Sequence, residues 1–111
     1  SERAWCYIDD FVVGVLTIME KHDFKQGVYE SYNIGTQEYV PTEKLAELVL
    51  ELTNRPMDLV QIVELPDKFI SGRKRFSNWK LRNLGWKQKV PLKQGLQEVI
   101  KWYQSSNDVI E

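Results

Sequence analysis

The chain lacks several sequence motifs that mark cofactor and phosphate sites. None of its six glycines stands two positions from another, so no G-x-G-x-x-G dinucleotide fingerprint occurs, and no G-x-x-x-x-G-K-[ST] phosphate loop is present. No tyrosine is followed four residues later by a lysine, the spacing at which a lysine on the same helix face lowers a tyrosine pKa. The sequence thus offers none of these three signatures.

Histidine and cysteine each occur once, as His22 and Cys6. Because a metal site needs several such ligands close together, the sequence predicts no metal centre. A single cysteine cannot form an internal disulfide, which favours a reducing, cytoplasmic location. Cys6 has no evident base partner in the sequence, so we do not expect it to act as a nucleophile.

Charge and hydrophobicity are ordinary for a globular protein. The 111 residues suffice for one domain with a modest core, with 42% hydrophobic residues, 28% charged residues and a net charge of −1. This balance gives no basic field to attract nucleic acid or an anionic membrane, and no apolar stretch is long enough to span a bilayer. Neither nucleic acid nor membrane is therefore a predicted partner.

The opening of the chain is unusual. Residues 3–8 are rich in aromatic side chains and predict a short extended segment, after which residues 11–19 are almost entirely apolar. We expect Asp9 or Asp10 to cap a helix that runs to about Lys21. A helix that is apolar on more than one face is buried on most sides. We therefore expect the chain to be part of a longer protein, in which another segment would cover the apolar helix.

The rest of the chain predicts a small α/β domain. Short strands are expected at 28–34 and 59–63, on either side of a helix at 42–53, and this order favours a parallel pair joined by a crossover. A short helix at 79–84 is closed by Gly85, and Pro91 begins the last helix. We expect residues 1–104 to form one domain with two parallel strands and about four helices, and 105–111 to be a frayed tail.

Arginines at two distant places in the sequence are candidates for phosphate binding. Arg3 lies just before the first helix, and Arg73-Lys74-Arg75 lies beside Gly72. The planar donor fork of a guanidinium suits phosphate oxygens. These arginines could therefore bind a diphosphate if the fold brings them together at the edge of one binding site. The alternative is that each is a solvated surface charge.

Four groups of residues follow one another in a characteristic order. They are Arg3-x-Trp5-x-Tyr7-Ile8-x-Asp10, Tyr32-Asn33-Ile34-Gly35-Thr36, Lys80-Leu81-x-x-Leu84-Gly85-Trp86, and Gly95-Leu96 with Trp102-Tyr103. From Arg3 to Tyr103 the pattern resembles the C-terminal portion of the extended short-chain dehydrogenase/reductase family. These are NAD-dependent nucleotide-sugar epimerases, dehydratases and decarboxylases. Within the family, the chain is most similar to the nucleoside-diphosphate-glucose 4,6-dehydratases, such as those that act on dTDP-glucose.

The resemblance implies a role for each candidate arginine. Arg3 takes the position of an arginine on the substrate diphosphate, and Arg73 takes that of a second arginine near it. We add Arg75, from the same basic loop, as a further substrate-binding candidate. The Rossmann domain that binds NAD, with its catalytic tyrosine and lysine, would lie upstream. The parent would be a homodimeric lyase or isomerase that oxidises the sugar C4 hydroxyl by hydride transfer to NAD, whereas this segment alone would bind no NAD and be inactive.

A second hypothesis assigns the chain no catalytic role. It would then be a free-standing protein-interaction module that docks a partner through the apolar helix at 11–19.

Overall fold

A short antiparallel ladder joins the start of the chain to a segment near its middle. In the computed structural model, which describes residues 2–25, 27–63 and 77–110, β1 (Glu2–Ala4) pairs with β2 (Tyr39–Pro41). The register sets Arg3 opposite Val40. Pro41 has no N–H to donate, and a two-stranded ladder tolerates it because each strand is an edge.

The predicted pair of parallel strands at 28–34 and 59–63 is wrong. Within the described ranges the ladder is antiparallel, and neither segment is a strand. Met57–Leu59 forms a 3-10 helix instead, while Val28 and Tyr29 are 57% and 99% exposed. A strand needs a neighbour that satisfies its backbone amides as well as a suitable residue pattern, and no described segment provides one for 28–34.

Four α-helices within the described residues confirm the helical part of the prediction. They are α1 (Ile8–Lys21), α2 (Thr42–Leu52), α3 (Trp79–Asn83) and α4 (Leu92–Ile110). Gly85 follows α3 with φ 103°, a backbone conformation that favours glycine. The helix α4 continues over most of the segment that was expected to be a frayed tail.

The core lies where α1 and α3 meet. Leu81 and Trp86 are 0% and 4% exposed, and they are the buried hydrophobic side chains of the described residues. Gly14 allows Ile34 to lie close to α1, because a Cβ added at Gly14 would be 2.7 Å from the Ile34 Cγ2 atom. The indole Nε1 of Trp86 donates to the Asp10 carbonyl at 2.9 Å, which ties this core to the first turn of α1.

Only one face of α1 packs against the described residues. That face carries Asp10 and Gly14, both buried. Six apolar side chains follow helical spacing on the other side, each at least 37% exposed, and we call them the outer face of α1: Ile8, Phe11, Val12, Val15, Leu16 and Met19. Such a continuous apolar stripe marks a surface suited to contact with another segment or protein.

Candidate functional site

Arg3 is the predicted site residue that falls among the described residues. It occupies the middle of β1, is half-buried, and donates from Nη1 to the Glu2 carbonyl at 3.0 Å. Arg73 and Arg75 fall at 64–76, outside the described residues. The convergence of the three arginines on one substrate therefore stays a prediction.

The residue that follows β1 is held on two sides. The Thr36 hydroxyl donates to the Trp5 carbonyl at 3.0 Å, and Thr36 is only 1% exposed. The Trp5 indole N–H donates to the Val40 carbonyl at 3.4 Å. These two bonds fix the chain between β1 and α1, two residues beyond Arg3.

A buried asparagine fixes the segment that carries Thr36. Asn78 is 5% exposed, and its Nδ2 donates to the Gly35 carbonyl at 2.8 Å. Its Oδ1 accepts from Arg82 Nε at 2.7 Å, so both ends of the carboxamide are satisfied and its orientation is defined. Asn33 adds a bond from its Nδ2 to the Ser77 carbonyl at 3.2 Å.

The prediction that Asp9 or Asp10 caps α1 is wrong. The N-cap is Tyr7, and no side chain bonds the first amides of the helix. The Asp10 carboxylate, 4% exposed, instead accepts from the backbone N–H groups of Lys89 at 3.2 and 3.3 Å and of Val90 at 2.9 Å. Asp10 therefore joins α1 to the loop before α4.

A cleft of about 570 Å³ opens between the end of α1 and α3. At its wall, His22 Nδ1 and the Tyr32 hydroxyl share a hydrogen bond of 2.7 Å. Lys80 Nζ donates to Glu30 Oε2 and to the Ser31 carbonyl, both at 2.7 Å, and lies 5.0 Å from the Tyr32 ring centroid. Sequence reasoning missed this cluster, because its members lie up to 58 positions apart.

The charges in this cluster satisfy one another. The hydrogen bond from Lys80, followed by the charge of the same ammonium group, lowers the pKa of Glu30 below its ordinary value. The carboxylate is therefore ionised at neutral pH and paired, which describes a structural tie rather than a proton-transfer group.

Cys6 faces a small apolar pocket between α2 and α4. Its Sγ lies 3.6 Å from the Tyr7 carbonyl. Burial, and to a lesser extent the charge of Asp10, raises the pKa of the thiol. Because the thiolate is the reactive form, this setting disfavours a nucleophilic role.

The described residues do not form a dinucleotide turn between β1 and α1 or a cluster of metal ligands. The turn between β1 and α1 is Trp5-Cys6-Tyr7, whose side chains do not fit the close backbone approach to a pyrophosphate that glycines allow in a dinucleotide site. Over 2–25, 27–63 and 77–110, no three histidine, cysteine or acidic side chains come together as a metal site. None of the helices in these ranges is both long and apolar enough to cross a bilayer.

Comparison with known proteins identifies relatives among nucleotide-sugar enzymes, although no family model matches the chain. A probable GDP-L-fucose synthase 1 from Oryza sativa subsp. japonica is 36% identical over 91% of this chain. The dTDP-D-glucose 4,6-dehydratase of Bos taurus is 32% identical over 94%, and the UDP-glucuronic acid decarboxylase 3 of Arabidopsis thaliana is 33% identical over 85%. Similar identities to all three do not single out the dehydratase branch.

The matches cover most of this chain but little of each relative. The chain spans 29%, 30% and 26% of the length of these three proteins, and the match falls in their C-terminal part. The resemblance predicted from the sequence is confirmed: the chain is homologous to the C-terminal part of the extended short-chain dehydrogenase/reductase family.

Proposed function

We propose that the chain is the nucleotide-sugar-binding part of a longer NAD-dependent enzyme, a dehydratase or epimerase. The observation that carries this proposal is the similarity over about nine tenths of the chain to proteins named for GDP-, dTDP- and UDP-linked sugars. A nucleoside diphosphate is the chemical element that these names share. Arg3, half-buried in β1 and two residues before the hydrogen-bonded Trp5, is the described residue that we propose binds it.

The rest of the longer protein would supply NAD and the reacting groups. The turn between β1 and α1 does not fit the cofactor, and oxidation of the sugar by hydride transfer to NAD would take place against the remaining part. This segment would hold the diphosphate, through Arg3 together with Arg73 and Arg75, and so orient the sugar for reaction elsewhere. We keep a homodimeric, cytoplasmic parent as part of the proposal.

The outer face of α1 supports the existence of a large intramolecular partner. The described residues leave its six apolar side chains at least 37% exposed. The Rossmann domain, for which the relatives' greater length leaves room, would cover them. The same surface also favours the second candidate, a non-catalytic module that docks another protein through α1.

Substitution of Arg3 distinguishes these two functions. In the full-length protein, Arg3→Ala should raise the Kd for a nucleoside diphosphate by about tenfold or more, because charge-assisted hydrogen bonds to phosphate would be lost. GDP, dTDP and UDP are titrated by calorimetry, and the tightest binder is used for every variant.

Arg55→Ala serves as the matched control, because Arg55 is exposed beyond the end of α2. It should leave the Kd unchanged. An unaltered Kd for Arg3→Ala would contradict the role of that residue, and the failure of all three nucleotides to bind would favour the interaction module.

A further inference from the structure

The strand that carries Arg3 is too short to hold its own geometry. β1 and β2 have three residues each, and an isolated two-stranded ladder of this kind is marginally stable in water. The ladder pairs Arg3 with Val40 and ends at Ala4 with Tyr39. The path of the chain beyond Ala4 must therefore be fixed by other contacts.

Thr36 supplies the strongest of these contacts. Its hydroxyl donates to the Trp5 carbonyl at 3.0 Å, whereas the indole bond from Trp5 to Val40 is longer, at 3.4 Å. Since Thr36 is 1% exposed, water cannot easily replace its hydroxyl. Loss of this bond would leave a carbonyl without its donor two residues from Arg3.

Thr36 is in turn held in place by contacts that do not involve Arg3. Asn78 binds the carbonyl of the preceding Gly35, and Arg82 fixes the Asn78 carboxamide. On the other side, Ile34 sits against α1 at Gly14. The hydroxyl therefore extends from a segment with several contacts of its own to the residue that follows a marginal strand. We expect the strand to adjust to Thr36 and not the reverse.

We infer that Thr36 is a positioning residue for substrate binding, which orients Arg3 toward the diphosphate through the Trp5 carbonyl. This inference rests on the proposed function, because it assigns Thr36 an effect only through Arg3. A small displacement of a charged donor is enough to weaken a bidentate contact with phosphate. A merely structural threonine would stabilise the fold without affecting how Arg3 meets its ligand.

A double-mutant cycle in the full-length protein tests this inference. Thr36→Val removes the hydroxyl at nearly constant volume and should raise the Kd for the nucleoside diphosphate by about fivefold. Thr36→Ser keeps the hydroxyl and should restore the original Kd. In the Arg3→Ala background, Thr36→Val should add nothing further, because the residue through which it acts has been removed.

Thr53→Val is the matched control, because its hydroxyl also donates to a backbone carbonyl, that of Val49 at 2.7 Å, but this bond lies at the C-terminal end of α2 and not on the segment that follows Arg3. It should not change the Kd. If Thr36→Val yields no folded protein, Thr36→Ala removes the same hydroxyl without adding a methyl group and takes its place in the cycle.

The outcomes separate the two proposals. An Arg3→Ala effect with no effect of the Thr36 substitutions would overturn the inference alone, as would an equal Thr36 effect in both backgrounds. No effect of Arg3→Ala would overturn both the inference and the proposed role of Arg3.

Discussion

Replacing Leu81 with alanine is expected to lower the free energy of unfolding of the 111-residue chain by about 3 kcal/mol. Leu81 is fully buried, and its Cδ2 atom would lie 3.4 Å from a Cβ at Gly14, at the point where α1 and α3 meet. Few other side chains are buried there to close the resulting cavity. Urea unfolding followed by circular dichroism measures the change.

Leu16→Ala provides the matched control for this prediction. The substitution removes the same side-chain atoms from another helix. Leu16, however, belongs to the outer face of α1 and is 55% exposed. Its loss should cost about 0.5 kcal/mol or less in the same chain. Equal losses at the two positions would contradict the assignment of Leu81 to the core.

Replacing Asp10 with alanine should destabilise the chain by about 2–3 kcal/mol. The change removes a buried carboxylate and leaves the amides of Lys89 and Val90 without their acceptor. Urea unfolding gives the free energy, and hydrogen exchange shows whether those two amides lose protection. Both effects should appear together, since they have the same cause.

Asp9→Ala is the control for Asp10→Ala. Both carboxylates lie in the first turn of α1, so each substitution removes a similar favourable interaction with the helix dipole. Asp9 is exposed, and its loss should cost well under half as much. A comparable loss at Asp9 would mean that charge near the helix terminus, rather than the contact with the 89–90 amides, explains the effect of Asp10.

The helices could be predicted from the sequence because their signals are local. Apolar spacing and flanking residues indicated α2 and α4, and Gly85 indicated the end of α3, since these patterns reflect contacts within a few turns. The strands could not be predicted in this way. β2 has three residues and ends in Pro41, so it is too short to show an alternating pattern of apolar and polar residues. The segment 28–34 has the residue pattern of a strand, but no described segment pairs with it.

The contacts that build the candidate site are equally hidden in the sequence. Asp10 was predicted to bond the amides beside it, but its acceptor atoms bind amides 79 and 80 positions away. Thr36 meets Trp5 across 31 positions, and Asn78 meets Gly35 across 43. The position of Arg3 before the first helix made it a candidate for phosphate binding, but its local sequence did not distinguish it from a surface arginine. Only the resemblance to a family assigned it to a substrate diphosphate.

The buried indole of Trp86 can serve as an intrinsic fluorescent probe. Trp79 and Trp102 are 54% and 65% exposed, whereas Trp86 is 4% exposed and bonded to the Asp10 carbonyl. A soluble quencher such as acrylamide should therefore reduce the emission of Trp79 and Trp102 readily, whereas the emission of Trp86 should persist. Trp5 is half-buried and would add to the remaining emission, so the measurement uses a Trp5→Phe variant. In that variant the light that survives quenching comes mainly from Trp86 and reports on the junction between α1 and the loop before α4.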